Sequence, residues 1–253
     1  RPRTIDTVDS LGRTASADFG LPPDGKTAVI EAAQANGLPQ VSDVELQPER
    51  ADTFGVGLIA ATDGKPSRRV VALGIDALKA VWHRGAVDAD GKTGDGAGIH
   101  VELPIAFFSK HIEHAGHKHR IDRLLAVGQV FLPRTNLAEQ ETCRSIVESE
   151  IIDFGYEIYG WRQVPVDTSV IGDKAKLTRP EIEQIMIKGP QPGENYENQD
   201  AFEKDLYLIR RRIEKKIIEA QIRDFYICSL SSRSIIYKGP VSYTHLRAHD
   251  TVL

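Results

Sequence analysis

The chain has 253 residues, 41% apolar and 27% charged, with a formal net charge of −4. That length allows one large domain or two small ones, and the composition is ordinary for a globular chain. The charge gives no electrostatic footprint for nucleic acid or an anionic membrane, so neither is expected as a partner. No apolar run approaches the ~18 residues of a membrane span, and the N-terminus lacks the apolar core of a secretory signal. The cytoplasm is therefore the expected compartment. Cys143 and Cys228 sit far apart in apolar patterns and read as reduced, buried thiols.

Residues 1–50 are rich in Pro, Gly, Asp, Gln and small residues, without a sustained apolar period. They read as a leader or propeptide-like extension with loose order. The chain starts at Arg1 and its single Met is Met186, so the natural start is expected to be missing or removed. A change comes at Gly55-Val-Gly-Leu-Ile-Ala-Ala, a buried strand over about 55–62 ended by the turn Asp63-Gly-Lys-Pro66. Ser67 caps a helix to Trp82 whose stripe is Val71, Ile75, Leu78 and Trp82, and Gly85 stops it. Thr93-Gly-Asp-Gly-Ala-Gly98 reads as a loop flowing into a strand at Ile99–Leu103. That strand and the one at 55–62 are expected in one central sheet. A helix from Pro104 to His114 follows.

Leu125–Leu132 reads as a strand ended by Pro133. Asn136 with Glu139 forms a capping-box signal for a helix to Phe154, with Cys143, Val147, Ile151 and Phe154 on its core stripe. Tyr156–Val164 is a strand. Around Ile185–Lys188 a strand competes with a helix-start signal at Thr178-Arg-Pro-Glu181. From Asp200 to Ala220 a helix buries Phe202, Leu206, Ile209, Ile213 and Ile217. Its cations Arg210, Arg211, Arg212, Lys215 and Lys216 form a solvated face expected to pair in part with Glu203, Glu214 and Glu219. Phe225–Ser229 and Ser234–Tyr237 are short strands around a turn. The last residues, 240–253, break the periodicity and read as a non-native tail.

Certain blocks recur in a shared order and spacing. They are Gly55-Val-Gly-Leu-Ile-Ala, Ala80-Val-Trp-His-Arg-Gly-Ala86, Thr93-Gly-Asp-Gly-Ala-Gly98, Gly128-Gln-Val-Phe-Leu-Pro133, Gly160-Trp-Arg-Gln-Val-Pro165, Tyr207-Leu-Ile-Arg-Arg-Arg212 and Phe225-Tyr-Ile-Cys-Ser-Leu-Ser-Ser-Arg-Ser234. Each alone is weak, since a Gly-rich loop can be a phosphate cradle or only a turn. Together they resemble the glutamate synthase large subunit over residues 51–239. The resemblance implies an α/β (α+β) chain with the N-terminal-nucleophile fold, a four-layer αββα sandwich. The domain would be a class-II glutamine amidotransferase, incomplete at its C-terminal side.

In that family the nucleophile is a Cys that becomes the first residue of the mature chain. A free α-amine, with an intrinsic pKa near ~8, can take the proton of the neighbouring thiol. A 53-residue leader ahead of position 54 fits that processing logic. This chain has Phe54 at the nucleophile's place. A benzyl side chain cannot attack an amide. Thr53 is a poor substitute, because a one-residue shift on a strand turns its side chain to the other sheet face. Arg84 and Gly85 are implied beside the nucleophile, shaping the glutamine pocket, although Arg84 also fits a cation satisfying a helix C-terminus. Asp95, among glycines, reads as a turn-holder rather than a catalytic carboxylate. The family's carboxylate-binding Arg and its Asn-Gly oxyanion pair belong to motifs of the form His-Gln-Arg-Tyr-Ser-Thr-Asn and His-Asn-Gly-Glu, and neither occurs here.

The resemblance thus implies L-glutamine as substrate and an inactive glutaminase as it stands. The parent enzyme would carry the remaining synthase domains and a small subunit, with FMN, an iron–sulfur cluster and a reduced nicotinamide or ferredoxin donor. None of these cofactors falls on this segment. Two rivals remain: a catalytically dead domain kept for binding or structure, and a metal site at His111, His114, His117 and His119. The histidine spacing places two imidazoles at most on one helical face, without a Cys or carboxylate pattern to complete it. Surface histidines are the better expectation.

Overall fold

The computed structural model describes residues 3–8, 14–19, 57–61, 64–65, 67–80, 93–120, 123–191 and 199–241. The chain divides into two compact units, residues 1–86 with 246–248, and residues 87–245 with 249–253.

In the first unit, β1 (Arg3–Val8) and β2 (Thr14–Phe19) pair antiparallel, from Arg3↔Phe19 to Val8↔Thr14. A regular hairpin therefore stands where loose order was expected. Its β-branched residues, Thr4, Ile5, Thr7, Val8 and Thr14, favour the extended backbone. Helix α1 spans Arg68–Ala80. The Ser67 hydroxyl accepts the Arg69 amide at 3.2 Å, so Ser67 does cap it. Val71 and Ile75 are buried and Leu78 half-buried, as the stripe requires. Trp82 lies outside the described residues, as does the expected stop at Gly85. Residues 57–61 hold no strand, and Leu58 is exposed. That overturns the central strand expected at 55–62 over its described part. A short apolar run forms a strand only when a sheet edge is available to pair with it.

The second unit is layered around a four-stranded antiparallel sheet. Its strands are β4 (Leu125–Leu132), β5 (Glu157–Gln163), β6 (Glu181–Lys188) and β7 (Tyr226–Ser231), in the order β5-β6-β4-β7. β3 (Thr93–Glu102) pairs with β8 (Ser234–Val241) in a separate two-stranded sheet. Helix α2 runs Ile105–His114, α3 Leu137–Asp153, the short α4 Asp173–Thr178 and α5 Gln199–Glu219.

The period of two sorts the sheet's faces. Ala126, Val130, Leu132, Ile185, Ile187 and Ile227 point to α3 and α5, against Cys143, Val147, Ile151, Phe202, Leu206, Ile209 and Ile213. The alternate residues Leu125, Val127 and Met186 point the other way, onto Phe108 and Ile112 of α2, Leu103 after β3, and Ile235 of β8. The order is helices, sheet, second sheet with α2. Asn136 caps α3 by accepting the Glu139 amide at 3.2 Å. The competition near Ile185 resolves as strand β6, because Pro180 follows α4 closely and cannot continue it.

The Gly-rich block at Thr93–Gly98 is strand rather than loop. A bulge between Thr93 and Ala97 interrupts the β3–β8 ladder, with Gly96 at φ +108°. At Gly98 a Cβ would lie 2.8 Å from the Tyr237 carbonyl oxygen, so only glycine lets β8 approach. Those two glycines serve strand pairing, which leaves the phosphate-cradle alternative without support.

Candidate functional site

Phe54, Arg84 and Gly85 all lie outside the described residues, as do Thr53 and the Asp95 side chain. The described scaffold near them in sequence is 57–61, the last turn of α1, and β3. The chemistry that can be described lies on the face of the four-stranded sheet that meets α2, β3 and β8.

A polar row crosses that face strand by strand. Arg162 on β5 stands opposite Gln184 on β6, Gln184 opposite Gln129 on β4, and Gln129 opposite Ser229 on β7. The Arg162 guanidinium donates to Gln184 Oε1 at 2.9 Å, and Gln184 Nε2 donates to Gln129 Oε1 at 2.8 Å. Gln184 Nε2 also reaches the Tyr237 hydroxyl at 3.4 Å, and Ser229 Oγ accepts the Ile236 amide at 3.1 Å. Gln129 and Gln184 are almost wholly buried, so this satisfaction is what makes the row tolerable between apolar layers. The row spans all four strands, and its members on β6 and β7 bond directly to β8. It contains no thiol.

Neither thiol can serve instead. Burial pushes the Cys143 thiol up to about 11, with Glu139 adding to the effect. Burial likewise raises Cys228, whose thiol donates to the Ile236 carbonyl at 3.3 Å. A thiol so protonated at neutral pH is a poor nucleophile. Both cysteines are core residues, as their apolar settings indicated.

The histidines cluster around α2 and Tyr159. His111 packs edge-on against Phe107 with ring centroids 4.6 Å apart, and His119 Nδ1 lies 3.2 Å from the Tyr159 hydroxyl. Burial, then the Arg162 charge, then His114 hold His111 below its ordinary pKa. Among the described residues no group of three or more His, Cys, Asp or Glu side chains is placed to hold a metal ion. Nor is any described helix long and apolar enough to cross a membrane.

On α5 the cations pair with Glu214 and Glu219 as expected, but not with Glu203. Arg210 and Arg211 engage Glu214, and Lys215 lies 3.8 Å from Glu219. Arg212 and Lys216 instead reach across to Glu150 of α3, a carboxylate with no solvent exposure. Arg212 Nε sits 2.6 Å from Glu150 Oε2, and both oxygens are held by ion-pair contact rather than aligned hydrogen bonds. Glu203 pairs with none of these cations. Its carboxylate accepts from the Ser231 hydroxyl and from the Ser232 amide and hydroxyl, gripping the β7–β8 turn. Arg233 in that turn engages Asp200. A Gln or Glu inside a buried strand or helix pattern was the signal for the polar row and for Glu150. Periodicity alone did not reveal their partners.

The amino-acid pattern of class-II glutamine amidotransferases matches residues 54–251, more than three quarters of the chain. The chain belongs to that family. An α+β architecture with antiparallel sheets and flanking helices is consistent with part of this family's N-terminal-nucleophile sandwich. The matched amidotransferase span includes most of the residues set apart as a tail. The large chain of an NADPH glutamate synthase from Azospirillum brasilense is 65% identical over 188 residues, covering 74% of this chain and 12% of that protein. A ferredoxin-dependent glutamate synthase from Pyropia yezoensis is 36% identical over 78% of this chain and 12% of its own length. One from Synechocystis is 37% identical over 76% of this chain and again 12% of its own length. The chain thus spans about an eighth of these relatives. A second family pattern, that of the glycerate kinases, matches residues 1–78.

Proposed function

We propose that this chain carries the glutamine-hydrolysing domain of a glutamate synthase, and that it is catalytically silent because Phe54 occupies the place of the nucleophilic Cys. The observation that carries this reading is the coincidence of Phe54 with the first residue of the amidotransferase match. In the active form of such a domain, a thiol would attack the glutamine amide carbon and release ammonia, and water would then free glutamate. An α-amine on the same residue would take and return the proton. Arg84 and Gly85 would shape the glutamine pocket. Phe54 offers neither attacking sulfur nor a thioester, and the buried Cys143 and Cys228 do not replace it.

In the whole protein the released ammonia would serve glutamate synthesis from 2-oxoglutarate on other domains. Those domains would use FMN, an iron–sulfur cluster and either a reduced nicotinamide or ferredoxin, and a small subunit would complete the assembly. None of that chemistry is assigned to residues of this chain. The cytoplasm is the compartment that fits this metabolism.

The experiment is ammonia release from glutamine by three proteins: the full chain, a Phe54→Cys form beginning at position 54, and that form extended through the two family motifs missing here. The chain itself should release none. Restoring the thiol and amine should not suffice, because oxyanion donors worth ~3–4 kcal/mol each and the substrate's arginine clamp are still wanting. Only the extended form should turn over. Activity in the full chain would overturn the reading.

A further inference from the structure

We infer that residues 1–53 are a retained segment of glycerate-kinase ancestry joined to the amidotransferase at Phe54, and not a leader whose removal frees position 54. This rests on the amidotransferase reading for the location of the nucleophile.

Two observations support this, the family matches and the pairing of β1 with β2. The kinase-family match covers residues 1–78 and the amidotransferase match covers 54–251, so residues 1–53 belong to the first alone and 54–78 answer to both. A leader has no reason to match an unrelated enzyme family along its whole length. The boundary between the two compact units falls after residue 86, so the first unit holds the entire kinase match together with the start of the amidotransferase match. Within residues 1–53, β1 and β2 form a six-rung antiparallel pair, regular structure that a discarded extension does not require. The shared stretch also behaves as a junction. Residues 57–61 fall in the first unit and carry no strand, although the amidotransferase reading calls for a central strand there.

The consequence is chemical. With residues 1–53 retained, the nitrogen of residue 54 stays in a peptide bond, its lone pair delocalised into the carbonyl. It cannot accept a proton, so the seam removes the general base as Phe54 removes the nucleophile. Two parts of one catalytic unit are lost at the same residue.

The test is intact mass and N-terminal sequencing of the purified full chain and of its full-length Phe54→Cys variant, with hydrogen exchange followed on the β1 and β2 amides. The unaltered chain should keep its 28.0 kDa mass and original N-terminus, and the variant should likewise remain uncut. The amides of residues 4–8 and 14–19 that join the ladder should exchange more slowly than those of an unstructured peptide. A new N-terminus at position 54 in either protein would overturn the inference, as would hairpin amides exchanging at unstructured rates. Ammonia release reads the chemistry of position 54 separately. Activity with residues 1–53 still attached would sink the proposed inactivity and leave the mass result standing.

Discussion

The two faces of the four-stranded sheet are built on different principles. Toward α3 and α5 the sheet presents Ala126, Val130, Leu132, Ile185, Ile187 and Ile227, and the helices answer with side chains that are almost entirely buried. Ions appear on that side chiefly at the helix flanks, at Glu150 with Arg212 and Lys216 and at Arg144 with Glu183. Toward β3 and β8 the sheet instead carries the row Arg162–Gln184–Gln129–Ser229 through its middle. The apolar face draws its stability from area removed from water, which is large but not directional. The polar row adds little net energy, but it accepts only the strand register that pairs every donor and acceptor. One face supplies stability and the other fixes alignment.

The largest effect should come from truncating the apolar face. Phe202 is fully buried against Tyr156, with ring centroids 5.0 Å apart. Phe202→Ala should destabilise the fold by ~3–5 kcal/mol in urea unfolding. A loss below ~1 kcal/mol would mean that α5 does not seat on the sheet as described.

Next comes the ionic clasp between α3 and α5. Replacing both Arg212 and Lys216 by Ala strands the Glu150 carboxylate, which has no exposure, and should cost ~3–5 kcal/mol. Glu150→Ala should cost less, because the two cations left behind are roughly half-exposed and can return to water. Equal losses would show that Glu150 is not the buried partner.

On the other face, Gln184→Leu leaves the Gln129 oxygen and an Arg162 donor without their partner, at a cost of ~1–3 kcal/mol. Its sharper readout is the Ile236 amide. If the row aligns β8, that amide should lose hydrogen-exchange protection before the amides of α5 do. Unchanged protection at Ile236 would reduce the row to filler.

The smallest effect is the pH dependence tied to Cys143. Its folded pKa, near 11, lies above the usual thiol value. The folded state therefore holds the proton more tightly than the unfolded one, and Cys143 contributes fully below the unfolded value. That contribution should fade as pH rises toward 11 and should be absent in Cys143→Ala. A matching slope in the variant would assign the loss to other groups.

Much of this fold was legible because its elements are periodic. The stripe Phe202, Leu206, Ile209, Ile213, Ile217 marks α5, and the run Leu125–Leu132 marks β4 to the residue. Asn136 announced α3 through a cap that the structure shows. Less legible was whatever depends on a distant partner. Gly55–Ala61 has strand composition, yet its described residues form no strand, since extended structure needs a neighbour that local sequence does not supply. The glycines at 96 and 98 looked like a loop because the strand that needs them, β8, lies far along the chain. Glu203 looked like a helix-face counter-ion, but its partners belong to a turn 28 and 29 residues away. For the site, the family blocks point by order and spacing to Phe54, Arg84 and Gly85, which lie outside the described residues. The polar row became visible only when the register placed its members side by side.

The most direct test of the whole account is glutamine-dependent ammonia release by the purified full chain, with its N-terminus verified in the same sample. No ammonia above the protein-free control is the expected result, since Phe54 brings no thiol. Sustained, glutamine-dependent ammonia release from that unaltered chain would contradict it.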